Sequence, residues 1–288
     1  MVINDIKKIC VIGAGNMGHQ IALCTALAGY QVSCTDISQE MLNKAEDFTR
    51  TYLPERVAKG KMQQDQADQA LINLRFTQNL EEAAEDADYV IEAAVEIMDI
   101  KRKLFAELDR IAPPHAILAT NSSFIVSSKI ADATQRPDKV CNMHFFNPAL
   151  VMKLVEVVQG PHTSLETAQI TLDLCAKLGK IGVLLKKEIY GFLVNRILSA
   201  LHQEALFLAD MGIASPEEID LAVTNALGHP MGPFRLMDFT GIDLSYYIGM
   251  ERYRETRDPK DKPSPIIIEK FAKGEYGKKT KKGFYSYE

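Results

Sequence analysis

The chain is poor in cysteine. Five thiols are spread over 288 residues, at Cys10, Cys24, Cys34, Cys141 and Cys175, and no two form a C-x-x-C pair. So sparse and odd a set excludes a disulfide scaffold. Cys10 and Cys34 fall in strand-like apolar runs, and Cys24 and Cys175 on apolar helix faces, so buried reduced thiols are expected. No run of about 18 apolar residues occurs, and no helix long enough to span a membrane is expected. The N-terminus lacks a basic start followed by an apolar stretch and a small-residue cleavage site, so no secretory signal is predicted. With reduced thiols, the expected location is the cytoplasm. Basic charge is not in excess: 33 Lys and Arg stand against 38 Asp and Glu, a net charge of −5. Such a balance exerts no general pull toward nucleic acid, though a local basic patch could hold an anionic ligand. Internal repeats and low-complexity segments are absent. No His, Cys, Asp and Glu spacing resembles a metal site, and none is expected. What remains is 47% hydrophobic and 25% charged, an ordinary globular composition of a length suited to about two domains.

Up to about residue 185, short β-branched runs alternate with longer helical patterns. Eight strands are predicted, at Ile9–Ile12, Gln31–Thr35, Leu74–Thr77, Tyr89–Ala93, Ile117–Thr120, Val140–Met143, Leu154–Val158 and Ile181–Leu185. Alternation of this kind implies βαβ units and a mostly parallel sheet of the Rossmann type. The nearly unbroken apolar character of each strand implies a sheet covered on both faces. After Lys186 the strand runs disappear. Gly191–Met211 carries apolar residues at helical spacing over some five turns, and Ser215-Pro216 reads as a helix N-cap followed by proline at the first helical position. The expected organisation is an α/β domain over 1–185 and an all-α domain over 186–288, hinged near Lys186–Glu188. The charged, proline-rich stretch Arg254–Pro265 reads as a loop.

Gly13-Ala14-Gly15-Asn16-Met17-Gly18 fits G-x-G-x-x-G directly after a strand and at the opening of a helix over 16–28, the context that a dinucleotide fingerprint requires. Gly13 would allow the tight turn, Gly15 the approach of a pyrophosphate, and Gly18 close helix–strand packing. Backbone N–H groups at the helix start, those of Asn16 and Met17 included, would face the diphosphate. The second strand ends at Asp36, 18 residues after Gly18. A carboxylate there can accept bonds from both ribose hydroxyls and would repel a 2′-phosphate, and Ile37 offers no compensating cation, so NAD(H) is favoured over NADP(H). The alternative is a glycine turn with a surface aspartate.

A dinucleotide fold names no reaction. The segment ATNSSFIVSSKIADATQRPDKVCNMHFFNPALVMKLVEVVQG is more specific. With GAGNMG, GFLVNR, GHPMGPFRLMDFTGID and the C-terminal GKKTKKGFYSY, it makes the chain resemble the 3-hydroxyacyl-CoA dehydrogenase family over essentially its whole length, most closely the short bacterial 3-hydroxybutyryl-CoA branch. The resemblance implies an NAD(H)-dependent interconversion of 3-hydroxybutyryl-CoA and acetoacetyl-CoA, in fatty-acid or butyrate metabolism. It implies that His144 is the general acid/base, Glu156 its carboxylate partner, and Ser123 and Asn195 groups that contact the substrate. Glu96, Lys101 and Asn121 then belong to the cofactor site. Relatives dimerise through the helical domain, so a homodimer is expected, with the acyl thioester in a cleft between the domains.

Physical chemistry stands beside the resemblance. Oxidising a secondary alcohol needs a base for its proton while hydride leaves carbon, and imidazole titrates near neutrality. A carboxylate fixes the imidazole tautomer and stabilises the imidazolium, and hydroxyl and amide donors can stabilise charge on the substrate oxygens. On residue type alone, a histidine beside an apolar strand is more often a satisfied core residue. His19, His115, His162, His202 and His229 are read as surface, cap or packing residues, and Glu92 is assigned no role.

The chain also departs from the family pattern. Where the family usually reads N-T-S-S-L, this chain has Asn121-Ser122-Ser123-Phe124-Ile125, and where D-x-P-G-F is common it has Glu188-Ile189-Tyr190-Gly191-Phe192. Tyr52 stands at a position often held by a CoA-contacting serine or asparagine. Lys59 and Lys61 are candidate partners for CoA phosphates, with a solvated helix end the alternative for each. Two other readings remain open: a dehydrogenase of a free 3-hydroxy acid or sugar acid of the gulonate type, and a non-catalytic, crystallin-like cofactor-binding protein.

Overall fold

The computed structural model describes residues 2–288. Its strands are β1 (Lys8–Ile12), β2 (Gln31–Thr35), β3 (Leu74–Thr77), β4 (Tyr89–Glu92), β5 (Ile117–Thr120), β6 (Val140–Phe145), β7 (Leu154–Val158) and β8 (Ile181–Leu185). They form one sheet in the order β3-β2-β1-β4-β5-β6-β7-β8. Every neighbouring pair is parallel except β6 and β7, which are antiparallel. The exception has a plain cause. Residues 146–153 are too few for the crossover that a parallel return needs, of about a dozen residues or more. All eight strands lie where the sequence predicts them, with β6 running two residues further than expected, through His144 and Phe145.

Strand alternation divides the core between the two sheet faces. Ile9, Val11, Val32, Cys34, Ile91 and Val157 pack under α1 (Gly18–Leu27), α2 (Gln39–Ala58), α3 (Gln64–Asn73) and α7 (Leu165–Lys177). Cys10, Ile12, Val90 and Leu118 pack under α4 (Leu80–Ala84), α5 (Met98–Ile111) and α6 (Ser128–Ala131). The five cysteines are all buried and unpaired. Burial pushes their thiols up, Cys141 to about 11 and Cys34 and Cys175 to about 12, far from thiolate chemistry at neutral pH. The order of strand connections reverses between β1 and β4, and in sheets of this kind ligands bind at the carboxyl ends of the strands flanking that point.

The chain divides into two compact units between Leu193 and Val194. The second is helical, as expected: α8 (Val194–Asp210), α9 (Pro216–Ala226), α10 (Pro233–Thr240), α11 (Ile242–Thr256) and α12 (Pro265–Ala272) surround Leu206, Ile219, Phe234, Met237, Ile242 and Ile267. Ser215 caps α9, accepting from the Glu218 N–H at 3.2 Å while the Glu218 carboxylate accepts from the Ser215 N–H at 2.8 Å, a reciprocal cap. Two buried aspartates tie the C-terminal segment to this bundle. Asp220 accepts from the N–H groups of Phe234 and Arg235 and from the Tyr285 hydroxyl. Asp238 accepts from the N–H groups of Phe284 and Tyr285 and from the Tyr287 hydroxyl. Three boundaries differ from the sequence reading: α1, expected over 16–28, spans Gly18–Leu27, and two others lie further along the chain. The pattern begun at Gly191 becomes helix only at Val194, because Gly191 and Phe192 hold positive φ angles of 74° and 49°. The loop expected from Arg254 starts only after Thr256.

Candidate active site

The glycine loop leaves β1 and enters α1 as the motif requires. Gly13 has φ +95°, and a Cβ there would lie 2.6 Å from the Ala93 carbonyl oxygen. A Cβ on Gly18 would lie 1.7 Å from the Gly13 carbonyl oxygen. These two glycines are demanded by backbone packing inside the chain. Gly15 is different: a Cβ there would meet nothing within 4 Å. Its want of a side chain serves the space outside, where a diphosphate can approach the first N–H groups of α1. The loop therefore fits a dinucleotide. Asp36, at the end of β2, accepts from the Ala14 N–H at 2.7 Å and from the Ser38 N–H at 2.8 Å. Its carboxylate thus braces the glycine loop from the end of β2. Ile37 beside it is 95% exposed.

At the ends of β4 and β5 lies a buried polar network. Glu92, fully buried, accepts from Lys101 Nζ at 2.6 Å, the Ala94 N–H at 2.7 Å and Thr120 Oγ1 at 2.6 Å. Lys101, 1% exposed in the first turn of α5, also pairs with Glu96 at 3.3 Å. Glu96 accepts from the Ser122 hydroxyl. Asn121 accepts from the Phe145 N–H at 2.8 Å, joining this loop to β6. The sequence reading brought Glu96 and Lys101 into the site but missed Glu92, the acid that Lys101 meets most closely. The signal was present: a carboxylate ending a strand whose other residues, Tyr-Val-Ile, are apolar and buried must have a partner.

His144 and Glu156 lie directly opposite each other in the antiparallel pairing of β6 and β7, on the face away from Met143 and Val157. His144 Nδ1 lies 2.9 Å from Glu156 Oε2, and Glu156 Oε1 accepts from the Leu193 N–H at 3.0 Å. Glu156 is fully buried and His144 is 3% exposed. The other ring nitrogen, Nε2, lies 3.1 Å from Ser123 Oγ. Phe146 and Phe192 flank the imidazole at centroid distances of 4.7 and 5.5 Å. Carboxylate, imidazole and hydroxyl therefore form one line, with the ring held on both nitrogens. If Nδ1 carries the proton toward Glu156, Nε2 is left unprotonated with its lone pair toward the Ser123 hydroxyl, the state of a general base.

The two departures from the family pattern meet. Phe124 and Tyr190 pack with ring centroids 5.2 Å apart. Glu188 accepts from Ser127 Oγ at 3.0 Å and from the Ser128 N–H at 2.8 Å, joining the 188–192 segment to the start of α6. Tyr52 packs on Phe48 at 5.4 Å, and Lys59 pairs with Glu55 at 3.1 Å on an exposed helix end. Lys61 is exposed. Asn195 lies in the first turn of α8, in the second unit. Among the other histidines, His19 Nδ1 lies 2.7 Å from the Gly15 carbonyl oxygen, with its ring on Phe48, and His162 Nε2 lies 3.1 Å from the Val140 carbonyl oxygen.

Comparison with known proteins agrees across the chain. Residues 8–189 match the family described as 3-hydroxyacyl-CoA dehydrogenase, NAD binding domain, and residues 191–287 its C-terminal domain. A relative named probable 3-hydroxybutyryl-CoA dehydrogenase from Bacillus subtilis is 40% identical over 99% of this chain and 98% of its own. A 3-hydroxybutyryl-CoA dehydrogenase from Bradyrhizobium diazoefficiens is 37% identical over 98% of this chain and 96% of its own. Among solved structures, the (S)-3-hydroxybutyryl-CoA dehydrogenase of Ralstonia eutropha superposes with a TM-score of 0.91 at 36% identity, covering 98% of this chain and 99% of that one.

Proposed function

The chain belongs to the 3-hydroxyacyl-CoA dehydrogenase family, and on that premise we propose that it is an NAD-dependent (S)-3-hydroxybutyryl-CoA dehydrogenase with His144 as general acid/base. The observation that carries the reading is the line Ser123–His144–Glu156, at 3.1 and 2.9 Å, with the carboxylate fully buried. The four-carbon substrate is supported by the names of the bacterial relatives, which match this chain end to end.

In the oxidative direction His144 Nε2 takes the proton of the 3-hydroxyl. Glu156 holds the opposite Nδ1–H and stabilises the imidazolium that forms. Bound nicotinamide supplies the acceptor for the hydride leaving C3. In reduction His144 returns the proton to the 3-oxygen. Ser123, donating to the same oxygen, and Asn195 steady the charge that develops on the substrate. Asp36 selects NAD(H) by receiving the ribose hydroxyls and repelling a 2′-phosphate. Glu96, Lys101 and Asn121 border the nicotinamide end, while Lys59 is the candidate for a CoA phosphate.

The second unit carries the assembly. Ile197, Phe207, Leu221 and Phe239 are each more than half exposed on its helices. A groove of about 490 Å³ between α8 and α10 is lined by Ile197, Leu201, Met231 and Phe239 among others. Apolar surface of this kind supports a homodimer formed through α8–α10. A cytoplasmic location is supported by the five unpaired, buried thiols.

Steady-state reduction of four- to ten-carbon 3-ketoacyl-CoAs, with NADH and NADPH in parallel and free acetoacetate alongside, tests the reading. The highest kcat/KM is expected for acetoacetyl-CoA with NADH. Comparable activity on free acetoacetate overturns the CoA assignment. A monomer in sedimentation overturns the dimer.

A further inference from the structure

Glu92 stands outside every role assigned so far, yet three donors meet its carboxylate at the carboxyl edge of the sheet. Its backbone pairs in register with Ile12 on one side and Thr120 on the other, where the strand connections reverse. A carboxylate with no solvent exposure persists as a charge only if its oxygens are satisfied. Here they are, by a buried ammonium, a backbone N–H and a hydroxyl.

Two paths lead from this carboxylate to one loop. Along the first, Thr120 Oγ1 donates to Glu92 and accepts from the Ser122 N–H at 3.1 Å. Along the second, Lys101 bridges Glu92 to Glu96, Glu96 accepts from the Ser122 hydroxyl, and that hydroxyl accepts from the Ile125 N–H at 2.7 Å. The Glu92 carbonyl also accepts from the Asn121 N–H at 2.7 Å. Backbone and side chain of Glu92 thus fix residues 121, 122 and 125, the frame around Ser123, whose hydroxyl meets His144. Beyond Glu96, 40% exposed, the network is closed to solvent at Lys101 and Glu92, so water cannot easily take the place of a lost partner.

We propose that Glu92 is a positioning residue: acting through Thr120 and Lys101, it holds the Ser122 loop so that Ser123 is set against His144 and the substrate oxygen. The claim rests on the function proposed above. Replacing the carboxylate by an amide keeps its volume but leaves Lys101 with Glu96 as its acidic partner in this network. Glu96 is then drawn toward the ammonium and away from Ser122.

The test compares the parent, Glu92→Gln, Ser122→Ala and the double variant, reading kcat and KM for acetoacetyl-CoA and the stoichiometry of NADH bound by fluorescence. Expected for Glu92→Gln is a fall in kcat of about 10- to 100-fold, as for a misplacement of the order of an ångström. NADH should still bind at one per chain, and KM should stay within about threefold. Because Ser122→Ala cuts a path that Glu92→Gln already disturbs, the double variant should be no more than about threefold slower than the slower single. A folded Glu92→Gln enzyme with kcat within twofold of the parent overturns the proposal, as do losses that multiply in the double variant. If Glu92→Gln does not fold, Thr120→Val cuts the other path without moving a charge. A fall of about threefold or more supports the proposal, and unchanged kcat overturns it. Turnover by the parent separates the two claims: a parent inactive on acetoacetyl-CoA fails the functional reading and this one with it, whereas an active parent with an unaffected variant fails this one alone.

Discussion

Glu156→Gln is the sharpest perturbation of the site. Among the donors to the carboxylate are His144 Nδ1 at 2.9 Å and the Leu193 N–H at 3.0 Å, one on each oxygen. An amide of the same shape has one oxygen to offer them. If that oxygen faces His144, the amide NH₂ opposes the Leu193 N–H, donor against donor, and the stabilising charge is lost. A charge-assisted hydrogen bond contributes about 1.5–3 kcal/mol, so this arrangement alone costs about 10- to 100-fold in rate. If the oxygen faces Leu193, the NH₂ donates to Nδ1 and drives the proton to Nε2, where the ring can no longer take a proton from the alcohol in oxidation, nor give one up in reduction without becoming an imidazolate. A wrong tautomer of this kind can cost up to about 10⁴-fold. The expected result is a fall in kcat of about 10 to 10⁴, with KM for acetoacetyl-CoA within about threefold. The assay follows NADH consumption by absorbance, with circular dichroism melting to establish that the variant is folded. A folded variant keeping kcat within fivefold of the parent refutes the pairing as a catalytic device.

Three further outcomes follow from the geometry. Gly15→Ala should fold with little loss of stability, its Cβ meeting nothing within 4 Å, yet bind NADH at least about tenfold more weakly. Gly18→Ala, whose Cβ would lie 1.7 Å from a carbonyl oxygen, should instead destabilise the protein by several degrees or more. Melting curves and fluorescence titration that rank the two alike would contradict the division of labour in the loop. Asp36→Ala should weaken NADH binding through two routes, since Asp36 also braces Ala14. The diagnostic quantity is therefore the NADPH-to-NADH ratio of kcat/KM, which should rise about 10- to 100-fold as repulsion of the 2′-phosphate is removed; an unchanged ratio means that Asp36 does not meet the ribose. Burial lowers His202 from 6.5 to about 4, so between those pH values the unfolded chain binds the extra proton. Stability attributable to this group is intact above pH 6.5 and lost as pH falls through 4, by about 3 kcal/mol in all. His202→Leu should show a correspondingly smaller loss in urea midpoint over that window, and parallel curves for parent and variant would exclude the effect.

Much of this architecture is legible along the chain because its determinants are local. Apolar runs of four to six residues, separated by helical patterns, mark the eight strands. The glycine spacing behind β1 marks the turn, and Ser215-Pro216 marks the start of α9. The shortness of residues 146–153 even dictates that β7 return antiparallel. What local pattern hid is instructive. Glu92 reads as an unremarked acid at a strand end, since nothing near it in sequence reveals that Lys101 will be buried upon it. Phe124 and Tyr190 read as two separate departures from a family pattern, and only the fold shows them as one aromatic contact. Phe192 belongs to an apolar helical pattern, but its positive φ delays the helix to Val194.

The sequence by itself determined the elements, their order and the residue types available for chemistry. It also determined the loop on which a dinucleotide can rest, because turn and strand preferences are settled within a few residues. Tertiary structure decided which of those residues meet. The register of β6 against β7 sets His144 across from Glu156, the order β5-β6 brings Ser123 to the free side of the imidazole, and the closure of α5 over β4 buries an ion pair behind both. These are contacts between residues far apart in the chain, and their strength depends on the exclusion of water. Both conditions arise only when the whole sheet is assembled and covered.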